Sequence, residues 1–332
     1  MSAPTAGAVV AYASVAYVDP RAHRWFSERT SRAADWPLER LLAAKGDSRI
    51  SVVLPALDEE ATVGRIVRVI RRELVERRAL VDELVVVDSG STDDTVAVAR
   101  AAGADVVRRE DVLGHLPPRP GKGEVLWRSL AATTGDVVVF VDSDLSDFTS
   151  SFVTGLLGPL LTDPAIQFVK ATYDRPLNRP GDVQPAGGGR VTELVARPLL
   201  ALHWPELSGF VQPLGGEYAA RRSLLERLPF PCGYGVEFGL LVDTLAAVGL
   251  DAMAQVDLSR RKHRNSDLHK LGRMAIEILQ VAEARLGRQV RSPAEITQFL
   301  RAGNGYELVD TDMTEHERPP IVTVEGYPHR RQ

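Results

Sequence analysis

Val137-Val-Val-Phe-Val-Asp142-Ser-Asp144 constrains this chain more than any other stretch. A run of apolar residues of this length suits a strand buried on both faces, as in a parallel sheet. The run then stops at two aspartates one residue apart. Parallel sheets meet their ligands at the carboxyl ends of the strands. Carboxylates at the rim of a core are costly unless paired or bound to a metal. A hard divalent cation that also holds phosphate oxygens would account for both. By itself Asp-x-Asp is most often a solvated turn, so the reading depends on what the rest of the chain brings to it.

The flanking sequence brings a sheet. Ile50-Ser-Val-Val-Leu54 reads as a strand, followed by Pro55-Ala-Leu-Asp-Glu-Glu60. Val63, Ile66, Val67, Ile70 and Leu74 then keep helical spacing, with arginines on the other face. The acidic run Asp58-Glu59-Glu60 suits a helix N-terminus whatever else it does. Val81 to Asp88 is a second strand, and Ser89-Gly-Ser-Thr92-Asp-Asp-Thr caps a helix that Gly103 ends. Asp105-Val-Val-Arg108 is a third, short strand. Alternating strands and helices imply an α/β fold with a right-handed, mostly parallel sheet. Before the central strand lies Arg119-Pro-Gly-Lys122-Gly-Glu124, then a helix through Trp127 and Leu130. Lys122 is not followed by Ser or Thr, so this is not a P-loop. Its flanking glycines still let backbone and ammonium approach a phosphate, against the alternative of a plain surface loop.

The second half changes character. Ile166 to Tyr173 reads as a strand, and residues 178–189 as a Pro/Gly loop. Gly189-Arg190-Val191-Thr192 opens a helix with Thr192 near its N-cap. Amides, a guanidinium and a hydroxyl there make an anion site, with a linker as the rival reading. Pro213-Leu-Gly-Gly-Glu217 is a second Gly-rich turn. Cys232-Gly-Tyr234-Gly-Val-Glu237 precedes an apolar helix over 238–248, and residues 252–258 form a further strand. Arg260-Arg261-Lys-His263-Arg-Asn265 is a compact basic cluster. A helix for packing or an oligomer contact covers 268–286. The tail beyond Arg301 is polar. Residues 1–48 read as a leader with Trp25 and Trp36 as packing anchors and a short helix that Gly46 closes.

Net charge is −4 over 332 residues. Nothing global therefore attracts nucleic acid, and an anionic ligand must be met by a local basic cluster. The single cysteine, Cys232, excludes an intrachain disulfide and a cysteine metal site. The apolar N-terminus is interrupted by Tyr12, Ser14 and Tyr17 and is too short to span a membrane. A cytoplasmic protein is expected.

The Pro55–Glu60 run, the Asp88–Thr95 run and the strand-end Asp142-Ser-Asp144 together resemble nucleotide-sugar glycosyltransferases of the GT-A fold. The 119–124 loop, the glycines and helix from Gly187 to Leu200, Gln212 to Tyr218, Gly233 to Glu237 and His263-Arg-Asn265 narrow this. They resemble the actinobacterial glucosyl-3-phosphoglycerate synthases over roughly residues 49–270. Leu145-Ser-Asp147 stands where that family often has Leu-Ile-Asn. The resemblance implies a retaining transfer of glucose from UDP-glucose to the 2-hydroxyl of 3-phosphoglycerate, with Mg²⁺ or Mn²⁺, in a homodimer. The product would enter methylglucose lipopolysaccharide synthesis.

Carried over by residue, the resemblance gives Pro55, Ala56, Leu57, Asp58, Glu59, Ser89, Lys122, Asp142 and Ser143 to the nucleotide side. Tyr234, Gly235, Val236 and Glu237 would face the sugar, and Arg261 joins the donor set. Asp144 and His263 would bind the metal. Gly189, Arg190, Val191, Thr192 and Asn265 would hold the acceptor. Asp144, Lys122 and Glu237 are the expected catalytic residues. In domain terms, 1–48 is an N-terminal extension, 49–148 the nucleotide-sugar half, 149–300 the acceptor half with a helical extension, and 301–332 a tail. The rival readings are a mannosyl-3-phosphoglycerate synthase using GDP-mannose, and a non-catalytic nucleotide-sugar-binding regulator. A sugar nucleotidyltransferase would want a Gly-rich phosphate loop straight after the first strand, and Pro55-Ala-Leu-Asp-Glu-Glu is not one.

Overall fold

The computed structural model describes residues 19–174, 177–179, 182–184, 189–260, 268–289 and 294–327. The chain opens with α1 (Pro20–Arg29), β1 (Thr30–Arg32) and α2 (Leu38–Lys45). The βα alternation follows as β2 (Ile50–Ala56), α3 (Val63–Ile70), β3 (Glu83–Asp88), α4 (Thr95–Ala102), β4 (Asp105–Arg108), α5 (Lys122–Ala132) and β5 (Val137–Phe140). Then come α6 (Ser151–Thr162), β6 (Phe168–Asp174), a short hairpin of β7 (Leu177–Arg179) and β8 (Asp182–Gln184), and α7 (Arg197–His203). The remainder is β9 (Tyr218–Arg221), α8 (Arg222–Leu225), β10 (Phe230–Pro231), α9 (Val236–Val248), β11 (Met253–Arg260), α10 (Leu268–Arg285), the hairpin β12 (Glu295–Ala302) and β13 (Gly305–Asp312), and β14 (Glu317–Arg318).

Among the described residues, eight strands form one sheet in the order β1-β11-β6-β9-β5-β2-β3-β4. Every pairing is parallel except those of β9, which runs antiparallel to both β5 and β6. Strand alternation divides the core between the two faces. Val52, Leu54, Val86 and Val139 join one apolar cluster with α3 and α6. Val53, Val85, Val87, Val138 and Phe140 join the other, with α5, α9 and α10. Each such side chain contributes about 1.5–3 kcal/mol over leaving it exposed. Residues buried on both faces explain why the strands read as continuous apolar runs.

Part of the expected leader belongs to this sheet. β1 pairs with β11, Thr30 opposite Gln255. Trp25 is buried, its Nε1 donates to the Met253 carbonyl at 2.8 Å, and its ring lies 4.3 Å from that of Phe210. Both expected tryptophan anchors pack: the Trp36 ring lies against Gly158, where a Cβ would sit 2.1 Å from it. The expected loop at 178–189 holds the β7–β8 hairpin instead. Cys232 is buried, as expected of a small core residue. Among the described residues, no helix is long and apolar enough to cross a membrane.

Candidate active site

Parallel pairing puts the carboxyl ends of β2, β3 and β5 at one edge of the sheet, and the loops that follow them meet there. Val141 extends β5 by donating to the Val53 carbonyl at 3.0 Å. Ser143 is buried and its hydroxyl donates to the Pro55 carbonyl at 2.6 Å, which ties the Asp-Ser-Asp turn to the first loop. Lys122, the first residue of α5, reaches over this turn. Its Nζ lies 2.5 Å from Asp142 Oδ1 and 2.8 Å from Glu237 Oε1. Glu237 comes from the first turn of α9 and is buried. Burial pushes the ammonium down, but the two carboxylates outweigh it and hold the Lys122 pKa well above its ordinary value. Behind Asp142 there is no room for a side chain: a Cβ on Gly216 would sit 2.2 Å from Asp142 Oδ2. The second Gly-rich turn of the sequence is therefore the backing of the aspartate. Asp144 is half-buried two residues on. Its hard carboxylate oxygens suit Mg²⁺ or Mn²⁺.

The nucleotide-side loops are stitched together. Asp58 takes φ +56°, and its carboxylate accepts from the Thr92 amide at 2.7 Å, while its own amide donates to Ser91 Oγ at 3.0 Å. The Glu59 amide donates to Thr95 Oγ1 at 2.7 Å, and Glu60 accepts from the Asp94 amide at 3.0 Å. The acidic run thus serves the neighbouring loop after β3 as well as lying before α3. The Ser89 amide donates to the Ala56 carbonyl at 2.9 Å, and its hydroxyl accepts from Arg109 Nη1 at 3.1 Å. Leu57 is left 54% exposed at this edge.

On the expected acceptor side, Gly189 has φ +78°, a conformation open to glycine, and the helix begins at Arg190. The Glu193 amide donates to the Gly189 carbonyl at 3.0 Å. The cap is Gly189, three residues before the Thr192 that the sequence suggested, so Thr192 is inside the first turn and buried, as is Val191. On the sugar side, Tyr234 is exposed and Val236 buried. The Tyr234 amide donates to Glu277 Oε2 at 2.5 Å and that of Gly233 to Glu315 Oε1 at 2.9 Å. The structure therefore joins Lys122, Asp142 and Glu237 directly, and Pro55 and Ala56 with Ser143 and Ser89. Arg261, His263 and Asn265 lie outside the described residues. Among those described, no group of three or more His, Cys, Asp or Glu gathers for a metal.

Sequence reasoning passed over Lys170 and Glu217. Lys170 is buried in β6, and its Nζ donates to the Gly215 carbonyl at 2.7 Å, holding the turn that backs Asp142. Burial brings its ammonium down to about 8, against the pull of Glu237. Glu217 accepts from the Tyr173 hydroxyl at 2.6 Å beneath the same turn. A lysine inside the apolar run Phe168 to Tyr173 was the available signal. Such a residue needs a partner and seldom sits in a strand core without one.

The glycosyl transferase family 2 model matches residues 51–212. The glucosyl-3-phosphoglycerate synthase of Mycolicibacterium smegmatis is 51% identical over 302 residues, covering 91% of this chain and 98% of that protein. A crystal structure of the Mycobacterium tuberculosis synthase with Mn²⁺, UDP-glucose and phosphoglyceric acid matches at a TM-score of 0.78 and 51% identity, over 87% of this chain and 95% of that one. Another, with Mg²⁺ and UDP, matches at a TM-score of 0.80 and 49% identity, over 89% and 98%.

Proposed function

The chain belongs to the glucosyl-3-phosphoglycerate synthases, which are glycosyltransferases, and we propose that it moves glucose from UDP-glucose to the 2-hydroxyl of 3-phosphoglycerate with the α anomer retained. The observation that carries the reading is the Lys122 ammonium clasped between Asp142 and Glu237 at the carboxyl edge of the sheet. Departure of UDP puts negative charge on the diphosphate. A fixed ammonium stabilises that charge without a proton transfer. Asp144 and His263 would hold a divalent cation, which when bound supplies further charge for the leaving diphosphate.

The exposed Leu57 offers a flat apolar contact for the base, and the stitched loops carrying Asp58, Glu59 and Ser89 hold the ribose side. Tyr234 to Glu237 face the sugar. Glu237 is already ion-paired to Lys122, which suits orienting glucose hydroxyls better than attacking the anomeric carbon. We therefore favour front-face attack, the departing phosphate oxygen taking the acceptor proton. Gly189, Arg190, Val191, Thr192 and Asn265 receive the acceptor, with Arg190 as its main cation and Arg261 on the donor. A cytoplasmic homodimer at an early step of methylglucose lipopolysaccharide synthesis completes the reading.

A screen of donors against acceptors tests it. UDP-glucose with 3-phosphoglycerate should release UDP fastest, and excess EDTA should stop it. Equal or faster turnover of GDP-mannose would transfer the assignment to the mannosyl reaction.

A further inference from the structure

The C-terminal segment returns to the base of the lysine loop. β14 pairs antiparallel with β10, Arg318 opposite Phe230 and Glu317 opposite Pro231. This lays the Arg318 guanidinium against the first turn of α5. Its Nε donates to Glu124 Oε2 at 2.7 Å and its Nη2 to Oε1 at 2.8 Å, a two-pronged grip on one carboxylate. The same Nη2 donates to the Pro117 carbonyl at 2.6 Å, and the guanidinium lies 5.1 Å from the Trp127 ring centre. Glu124 Oε1 also accepts from Arg128 Nε at 2.6 Å and from the Arg119 amide at 3.2 Å. One fully buried carboxylate thus joins the tail, the helix and the loop that leads to Lys122. Burial pushes the Glu124 carboxyl up, yet the hydrogen bonds from Arg318 and Arg128 leave it below its ordinary value.

The other side of the loop is held equally closely. A Cβ on Gly121 would sit 2.2 Å from the Cys232 carbonyl oxygen, and one on Gly123 only 1.8 Å from that of Pro231. The Glu124 amide donates to the Cys232 carbonyl at 3.2 Å, and the Cys232 amide to the His316 carbonyl at 2.7 Å. Tail, β10 and the start of α5 therefore form one stack. Lys122 stands on it two residues before Glu124. A shift or rotation of that first turn would carry the ammonium away from Asp142 and Glu237.

We propose that Arg318 is a positioning residue for the transfer. Acting through Glu124, it fixes the height and rotation of the α5 N-terminus and so places Lys122 for the donor diphosphate. This rests on the reading of Lys122 given above. A purely structural role for the buried pair would lower stability without singling out the donor.

A double-mutant cycle separates the two, read as UDP affinity in the presence of Mn²⁺ by calorimetry. Arg318→Met should weaken UDP at least tenfold and leave 3-phosphoglycerate binding within twofold. Arg318→Lys, which can restore one of the two bonds to Glu124, should fall between. In a Lys122→Met background, Arg318→Met should cost UDP binding little more. An equal loss in both backgrounds, or unchanged UDP affinity in a folded Arg318→Met protein, would overturn the proposal. If the methionine variant does not fold, the Arg318→Lys arm is read in the same two backgrounds by the same criteria. Binding of UDP needs no transfer. A wild-type protein that binds UDP but does not glucosylate 3-phosphoglycerate would sink the proposed function and leave this cycle decisive for Arg318.

Discussion

In the proposed transfer, Lys122 would do for the donor what a cation in water could not. It is held before the substrate arrives, so no reorganisation is needed as charge develops on the diphosphate. Its two partners are equally bound to it, since Asp142 and Glu237 would face each other as like charges in its absence. Lys122→Met should lower kcat by a factor of about a hundred to a thousand, or ~3–4 kcal/mol of barrier, and, by leaving the two carboxylates unpaired, should also lower the thermal transition. Steady-state kinetics with saturating UDP-glucose checks this, and a loss below threefold would remove Lys122 from the chemistry. Arg190 poses a different question, because 3-phosphoglycerate carries two anionic groups and a planar guanidinium can grip an oxyanion with two bonds. Arg190→Lys should raise KM for 3-phosphoglycerate at least tenfold, about 1.4 kcal/mol, and barely move KM for UDP-glucose. A change confined to the donor would mean that the Gly189–Thr192 segment serves the nucleotide.

The turn before α9 shows how an element can carry an ionisable support. Gly233 and Tyr234 donate their amides to Glu315 and Glu277, which approach the turn from the tail and from α10. Burial, with the neighbouring Glu277, lifts the Glu315 carboxyl to about 7. Its folded pKa therefore lies above its ordinary value of 4.5. Between the two values the folded protein keeps a proton that the unfolded chain has lost, so this contribution to stability is present below pH 4.5 and is lost as pH rises through 7. Glu315→Gln keeps the acceptor and removes the titration. Relative to wild type, the variant should gain on the order of 1–3 kcal/mol on going from about pH 4.5 to pH 8. Urea unfolding at the two pH values measures it, and an unchanged gap would show that Glu315 titrates normally.

Elements also mark how much was legible beforehand. β2, β3, β5, α4 and α9 were readable because apolar runs and glycine stops are local signals, as were the Asp-Ser-Asp turn and Lys122. β9 was not, since Tyr218 to Arg221 is four residues whose place between β5 and β6 is set by partners 48 to 84 residues away. Arg318 was invisible for the same reason: in a polar tail it is one charge among many until β14 docks on β10.

The whole molecule brings two kinds of loop to one edge of a sheet. Loops after β2, β3 and β5 are fixed to one another by backbone and side-chain hydrogen bonds, and α5 and α9 close over them with Lys122 and Glu237. From the second half, the turn at Gly215-Gly216 supports Asp142 from beneath, and the helix opened at Gly189 is proposed to supply the acceptor side. In that proposal donor and acceptor meet separate walls, as transfer between two substrates requires. The measurement that bears on it most directly is ¹³C NMR of the reaction of UDP-[1-¹³C]glucose with 3-phosphoglycerate and Mn²⁺. The expected spectrum shows the label in an α-linked glucoside at the 2-position of 3-phosphoglycerate, formed in step with UDP. Labelled free glucose, a β-linked product, or label remaining in UDP-glucose would contradict it.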